Sequence, residues 1–262
     1  MTELSRPGRV VRGLAGIAVL FGAAEAVSRA GIVSEEFLPP ASDVLARAVE
    51  LTGDELFLEG LAATVTAWAL GLGIAVAGAV PLGLLLGSVP AINAALRAIV
   101  EFLRPIPSVA LIPLAGLLLG SGTEMKVALI VYAATWPILF NTVYGLHETD
   151  PLFKDTLRAF GYGPRAVLLR AGLPSAAPFI ATGVRLAAAI ALILAVGTEV
   201  LSGFGEGLGT FVAQAMNVPG GVTDVLAGTV WAGVLGLAVN ALLVGAERRL
   251  LHWHHARLAA GT

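Results

Sequence analysis

Residues 61–87 read LAATVTAWALGLGIAVAGAVPLGLLLG, 27 residues with no charged side chain. As a helix rising 1.5 Å per residue, this stretch is roughly 40 Å long. That exceeds the ~30 Å hydrocarbon core of a bilayer. A chain crossing lipid must satisfy its own backbone, so the stretch decides for a membrane-spanning helix. Working outward, residues 127–146 and 225–246 are also uncharged, and 105–123 is uncharged and lengthened by 91–104. Residues 177–200 hold only Arg185 and Glu199, and 13–24 is apolar, reaching about 30 if Glu25 is tolerated. The count is six, with spans at about 13–30, 61–87, 94–120, 125–146, 177–200 and 225–246. The predicted fold is all-α: one polytopic membrane domain over 13–246, with tails at 1–12 and 247–262.

Composition agrees. Of 262 residues, 57% are hydrophobic and 13% charged, against about 25% charged in a soluble domain. Mean hydropathy is +0.87. These values exclude a disordered chain, a nucleic-acid binder and an ordinary soluble enzyme. A net charge of −2 offers nothing to a polyanion. With no cysteine, disulfides, zinc–thiolate sites and thiol catalysis are excluded.

Basic residues in short connections orient the spans. Arg6, Arg9 and Arg12 lie in the N-terminal tail; Lys154, Arg158, Arg165 and Arg170 in the 147–176 loop; Arg248, Arg249 and Arg257 in the C-terminal tail. Six spans put all three on one side, the expected cytoplasm. On the other side, residues 31–60 carry one base, Arg47, against seven acids, and 201–223 carry Glu206 and no base. A rival reading makes the N-terminus a cleavable signal peptide, with a basic flank, an apolar run and Ala24-Glu25-Ala26. Against it, Glu25 and Arg29 are spaced to pair on one helix. Phe37-Leu38-Pro39-Pro40 reads as an extended break. Ser42 and Asp43 then offer caps for a short amphipathic helix on the outer surface.

The loop over 147–176 is too long for a simple connector. Residues 155–160 fit a helix, 161–164 a break and 165–171 another helix, with Pro174 placed to start the next span. Its plain reading is a solvated amphipathic loop; its functional reading is a rigid knob for a partner protein. The phosphate-binding pattern GxxxxGK[ST] is absent from the sequence. Gly161 to Ala166 fits GxGxxA, but no strand precedes it and Pro164 interrupts it, so it is not a dinucleotide site.

Asp155-Thr156-Leu157, Gly161, and Leu173-Pro174 match the spacing of the EAA loop. The chain therefore resembles the permease subunits of ABC importers. Leu103-Arg104-Pro105-Ile106-Pro107-Ser108-Val109-Ala110-Leu111-Ile112-Pro113-Leu114 resembles their LRPIPxxALIPL stretch, and Trp136-Pro137-Ile138-Leu139-Phe140-Asn141-Thr142 their FPILLNT stretch. Phe37 to Leu45 resembles the segment after the family's first span, and Glu199 with Gly207-Leu208-Gly209 falls where the family has a Glu and a GLG turn. The likeness runs from about 37 to 253, nearest the nitrate/sulfonate/taurine/bicarbonate branch. It departs where Glu-Ala-Ala becomes Asp155-Thr156-Leu157 and where Ile before Leu-Pro becomes Ala171. The resemblance implies a type I importer permease and a homodimer forming the pathway. It also implies two cytoplasmic ATPase subunits that bind ATP and Mg, an extracytoplasmic solute-binding protein, and a bacterial inner-membrane location. It assigns ATPase coupling to Asp155, Thr156, Leu157, Arg158, Gly161, Leu173 and Pro174. No cofactor, metal or catalytic residue is expected in this chain. The branch's solutes are small oxyanions, organosulfonates and vitamin precursors.

Polar residues near the spans add candidates. Arg104, Pro105, Pro107, Asn141 and Glu199 are candidate pathway or gate residues. Three prolines, Pro105, Pro107 and Pro113, should interrupt the third span. The segment 104–114 then either lines a pathway or packs at a dimer interface. Glu199 is either a pathway contact or an interfacial carboxylate in water. Arg185 either attracts an anion or snorkels. Arg97, Glu101 and Arg104 share a helix face as an ion-pair ladder, and Asn141 and Thr142 read as interhelical hydrogen-bond partners. Gly83xxxGly87 and Gly116xxxGly120 fit small-residue packing, and 203–209 fits a re-entrant turn. His252, His254 and His255 read as a polar tail, not a metal site. An ion-coupled secondary transporter is the alternative function. It needs ionisable groups mid-span, and spans two, four and six offer none there. An intramembrane enzyme would need a catalytic constellation at membrane depth, and the histidines lie in loops and tails.

Overall fold

The computed structural model describes residues 6–203 and 205–251. Its elements are α1 (Arg6–Arg29), α2 (Ala41–Glu50), α3 (Glu55–Ser88), α4 (Pro90–Leu103), α5 (Ile112–Leu119), α6 (Thr123–His147), α7 (Pro151–Ala159), α8 (Pro164–Val167), α9 (Leu173–Ser202), α10 (Leu208–Ala215) and α11 (Val222–Leu250). There is no strand among the described residues. Four helices there are long and apolar enough to cross a membrane: α3, α6, the run Pro164–Ser202 and α11. A bent pair, α4 with Ser108–Leu119, makes a fifth candidate. The 24-residue α1 occupies the place of the expected first span.

Helices α3, α6 and α9 form the core. Leu72, Ala75, Ala79 and Leu86 from α3 meet Ala134, Ile138 and Leu139 from α6 and Ala187 and Ala188 from α9. Lipid is as apolar as these side chains, so close packing rather than hydrophobic exclusion must hold them together. Glycines permit that approach. A Cβ at Gly83 would lie 2.7 Å from Thr142 Cβ and 3.1 Å from the Leu139 carbonyl oxygen. At Gly183 it would lie 2.8 Å from Asn141 Cβ and 2.9 Å from the Pro137 carbonyl. Gly87 packs on Leu146 and Gly145 on Phe179 in the same way. The other small-residue pair behaves differently. Gly116 meets only Met125 Sδ at 3.5 Å, and Gly120 ends α5 at φ 77°.

The third span is not one helix. Helix α4 stops at Leu103, and the axis of Ser108–Leu119 makes 77° with it. Pro105 and Pro107 cannot donate to the helical ladder; Arg104 keeps helical backbone, and the chain turns extended at Pro107, ψ 120°, which ends the rod. Pro113 does not contribute to the break. It sits in the first turn of α5, where a missing N–H costs nothing.

Two helix starts differ from expectation. Helix α2 is not capped by Ser42 or Asp43. The Glu25 carboxylate instead accepts from Ser42 N–H at 2.9 Å and Ser42 Oγ at 3.0 Å, while pairing with Arg29 at 2.6 Å. Glu25 is thus tolerated in α1 because three donors meet it. Helix α2 then lies against α11 through Arg47–Asp224 at 2.5 Å and a bond from Trp231 Nε1 to the Ala48 carbonyl. Asp224, then Glu50, hold the Arg47 guanidinium charged, raising its pKa above the usual range. Pro174, for its part, does not start the fifth span. Helix runs unbroken over Pro164–Ser202, with a π-helical turn at Leu168–Gly172 just ahead of Pro174. The looser turn accommodates a proline inside a helix, and Pro164 is the residue that opens it.

If glycine contacts hold the core, Gly83→Ala should destabilise it by about 1–3 kcal/mol, the usual cost of overpacking. Gly73→Ala, where nothing lies within 4 Å, should change little. Thermal unfolding of the two variants side by side in detergent checks this.

Candidate functional site

The loop after α6 folds as a helical knob. Asp150 caps α7, its carboxylate accepting from Leu152 N–H at 2.8 Å, and Pro151 occupies the first turn. The helix therefore begins before Asp155. Asp155 pairs with Arg158 at 2.9 Å, both exposed, and Thr156 Oγ1 bonds back to the Leu152 carbonyl. Gly161 terminates α7 at φ 80°, with Gly161 N–H donating to the Arg158 carbonyl and Tyr162 N–H to Leu157's. This left-handed closure suits glycine because a Cβ there costs roughly 1–2 kcal/mol. Leu157 is half-buried. Leu152, Phe153 and Phe160 are exposed at 73%, 46% and 78%, a high apolar exposure for a loop. Lys154 Nζ bonds to the Leu146 carbonyl at 3.0 Å and ties the knob to the end of α6. Arg170 stacks on Tyr162 at 4.5 Å. Leu173 and Pro174 follow on the continuous helix.

The pathway candidates are not brought to one place. Arg104 leaves the expected ladder and sits over the Phe140 ring at 4.5 Å, while Arg97 and Glu101 pair at 2.7 Å. Pro105 and Pro107 are exposed at the bend. Asn141 and Thr142 are not interhelical donors. Their side chains bond to the Pro137 and Ile138 carbonyls one turn back, at 2.8 and 2.7 Å. Arg185 reaches Glu247 of α11 at 3.5 Å and lines a mostly apolar cavity of about 480 Å³ between α9 and α11. The histidines at 252, 254 and 255 lie outside the described residues.

Glu199 is at the opposite end of the bundle, 1% exposed, so it is not a carboxylate in water. Lys126 Nζ, also buried, donates to Glu199 Oε1 at 2.9 Å and to the Glu206 carbonyl at 2.8 Å. Thr64 Oγ1 donates to the carboxylate at 2.9 Å and accepts from Leu208 N–H at 2.8 Å. Gly209 N–H donates to Oε2 at 2.9 Å. One carboxylate thus fastens α3, α6, α9 and the start of α10. The glycines of the Gly207-Leu208-Gly209 turn follow from this contact. A Cβ on Gly207 would stand 2.2 Å from the Glu199 carboxyl carbon, and one on Gly209 2.3 Å from the Val196 carbonyl. The turn expected over 203–209 leads into the buried helix α10. Fifteen residues of α6, roughly 22 Å of helix, separate Lys126 from Asn141, so Glu199 and Asn141 belong to different levels of the bundle.

Lys126 was not legible as a functional residue, because beside Glu124 it reads as a polar flank of the fourth span. One signal was available. Antiparallel neighbouring spans place the start of α6 and the end of α9 at the same level, where a lone Lys and a lone Glu have reason to meet. A buried charge stripped of its partner typically costs 3–5 kcal/mol. Lys126→Met should therefore lower thermal stability by about that much, and Lys126→Met with Glu199→Gln should recover part of the loss. A double-mutant cycle read by thermal unfolding in detergent measures both.

Residues 79–252 match the model of the binding-protein-dependent transport system inner membrane component family. The taurine transport system permease protein TauC of Escherichia coli (strain K12) is 29% identical over 252 residues, covering 94% of this chain and 90% of that one. A probable ABC transporter permease of Brucella melitensis is 31% identical over 219 residues, covering 82% and 87%. The nitrate import permease protein NrtB of Leptolyngbya laminosa is 28% identical over 183 residues, covering 70% and 65%. Among solved structures, a chain of the inward-facing MetNI methionine ABC transporter superposes with a TM-score of 0.60 at 19% identity, covering 75% of this chain and 95% of that one. A chain of a bacterial alginate ABC transporter gives 0.62 at 15%, covering 78% and 82%. Those two likenesses support the fold. The family match, spanning most of the chain, settles membership: this chain belongs to the binding-protein-dependent transport system inner membrane components, the permease subunits of ABC importers.

Proposed function

We propose that two copies of this chain form the solute pathway of an importer. Two ATPase subunits dock on the 147–176 knobs, and a solute-binding protein delivers solute from the opposite side. The observation that carries this reading is the knob itself: a capped amphipathic helix, α7, with Leu152, Phe153 and Phe160 exposed on a loop. Apolar side chains held in water this way fit the groove of a partner protein. The 147–176 side is cytoplasmic, in line with its basic residues, and both termini share it. ATP and Mg belong to the partner, and the chain itself binds no cofactor.

The knob is joined to the bundle stiffly enough to transmit movement. Lys154 fastens it to α6, and the Pro164–Ser202 helix runs from it through the core to Glu199. ATP binding closes the ATPases, draws the two knobs together and opens the pathway outward; hydrolysis resets it. Arg104, Pro105 and Pro107 at the bent span are pathway or dimer-interface elements, exposed in the single chain and free to face a second copy. The solute is a small oxyanion or sulfonate-bearing molecule, with a vitamin precursor as the alternative. That assignment rests on relatives named for taurine, bicarbonate and nitrate transport.

A mild-detergent purification of the tagged chain from native membranes, followed by mass spectrometry, should recover an ATPase subunit at one copy per permease. A chain that emerges alone, under conditions that preserve other complexes, overturns the reading. Gly161→Asp offers a finer test. A Cβ on Gly161 would meet nothing within 4 Å, but the backbone there stands at φ 80°, so the substitution should distort only the knob. Membrane insertion should persist while solute-stimulated ATPase activity is lost; normal transport in that variant would refute docking at the knob.

A further inference from the structure

A cavity of about 810 Å³ opens between the end of α3 and the underside of the knob. Lys154, Arg158 and Arg165 line it, with no carboxylate among its lining residues. Arg158 has an exposed partner in Asp155, a pairing of small worth. Lys154 spends one ammonium proton on the Leu146 carbonyl and keeps two. Arg165 makes no ion pair among the described residues. The facing wall is apolar, from Leu84 and Leu85 of α3, and Leu85 is 44% exposed. Ser88 closes it at the end of a 34-residue apolar helix, where hydrocarbon gives way to water.

We infer that this cavity holds the headgroup of an anionic phospholipid, with the phosphate on Lys154, Arg158 and Arg165 and an acyl chain along Leu84 and Leu85. A free anion would use the cations but not the apolar wall. A neutral lipid would use the wall and leave three cations unmatched. An anionic amphiphile from the surrounding leaflet uses both, and basic pockets beside transmembrane helices suit acidic headgroups. The leaflet is the cytoplasmic one if the sidedness proposed above holds; binding itself does not depend on that sidedness, nor on the docking of an ATPase.

The test uses the full chain with its co-purifying subunits in nanodiscs of phosphatidylcholine with graded phosphatidylglycerol, present in both leaflets. Native mass spectrometry then counts retained lipid. Phosphatidylglycerol should be retained preferentially. Retention should weaken about fivefold in Arg165→Gln and roughly 25-fold in Lys154→Gln/Arg165→Gln, following the ~1 kcal/mol each base contributes near an anionic surface. Arg248→Gln, a basic residue elsewhere at the membrane edge, should retain lipid normally. Equal retention of both lipids, unchanged retention in the cavity variants, or an equal loss in Arg248→Gln overturns the site. Thermal stabilisation by millimolar inorganic phosphate in pure phosphatidylcholine discs, equal to that by phosphatidylglycerol, would assign the cavity to a free anion and overturn the lipid.

Discussion

The fold depends on how near three helix backbones can come to one another. In lipid, no hydrophobic gain rewards helix association, so contact must be dense to hold. Glycines at 71, 83, 87, 145 and 183 supply that density, each standing where a Cβ would meet a neighbour at 3.0 Å or less. Close approach has a second effect. It brings buried polar groups of different helices within bonding distance, and this is what makes the Lys126–Glu199 pair possible. Taken alone, two charges in that place would be expensive. With Thr64, Gly209 N–H and the Glu206 carbonyl around them, both groups are met by fixed partners. Gly60 belongs to the same device, since its Cβ would lie 3.3 Å from the Gly207 backbone.

The prolines follow a different logic. Pro81, Pro137 and Pro178 sit inside long helices without breaking them, because packed neighbours hold the helix on either side. Pro105 and Pro107 do break theirs. They act as a pair two residues apart, with no flanking turn left to bridge the gap, and the chain leaves at 77°. Proline count therefore predicts little; spacing and position within the turn decide. The same holds at Pro174, where the preceding π-helical turn absorbs the missing donor.

Much of this was legible in the sequence, and the parts that were not share a cause. Uncharged runs located the long helices, because length and apolarity are local properties. The i,i+4 pair of Glu25 and Arg29 was legible for the same reason. Gly161 was legible as a break because a left-handed closure needs glycine whatever lies around it. Contacts between distant segments were not legible. Ser42 read as a cap for α2, but a carboxylate 17 residues earlier does the capping. Arg104 read as part of a ladder, but an aromatic ring on another helix drew it away. Asn141 and Thr142 read as interhelical donors, but a carbonyl one turn back is always within reach and needs no partner helix. Among the coupling-loop residues, the local geometry of Asp155, Arg158 and Gly161 could be anticipated, whereas the exposure of Phe153 and Phe160 depends on how the knob sits against α6.

The continuity of Pro164–Ser202 bears on how a transporter of this kind could work. A knob hung on a loop would dissipate any push it received. Here the segment leaving the knob is already the fifth span, and its far end carries Glu199. Displacement at the knob must be taken up somewhere along that helix. The upper end is fastened by a buried ion pair and the middle by glycine contacts with α6. The π-helical turn at Leu168–Gly172 has the least regular hydrogen bonding of the run, and Leu169 and Arg170 leave one side of it exposed. It is therefore the place where bending costs least. A stiff lever pivoting there would move the bundle as a body rather than unravel it. That behaviour suits an importer driven from outside the membrane better than a carrier that must couple an ion at mid-span. The only buried charge pair among the described residues lies at a span's end, with both charges already satisfied.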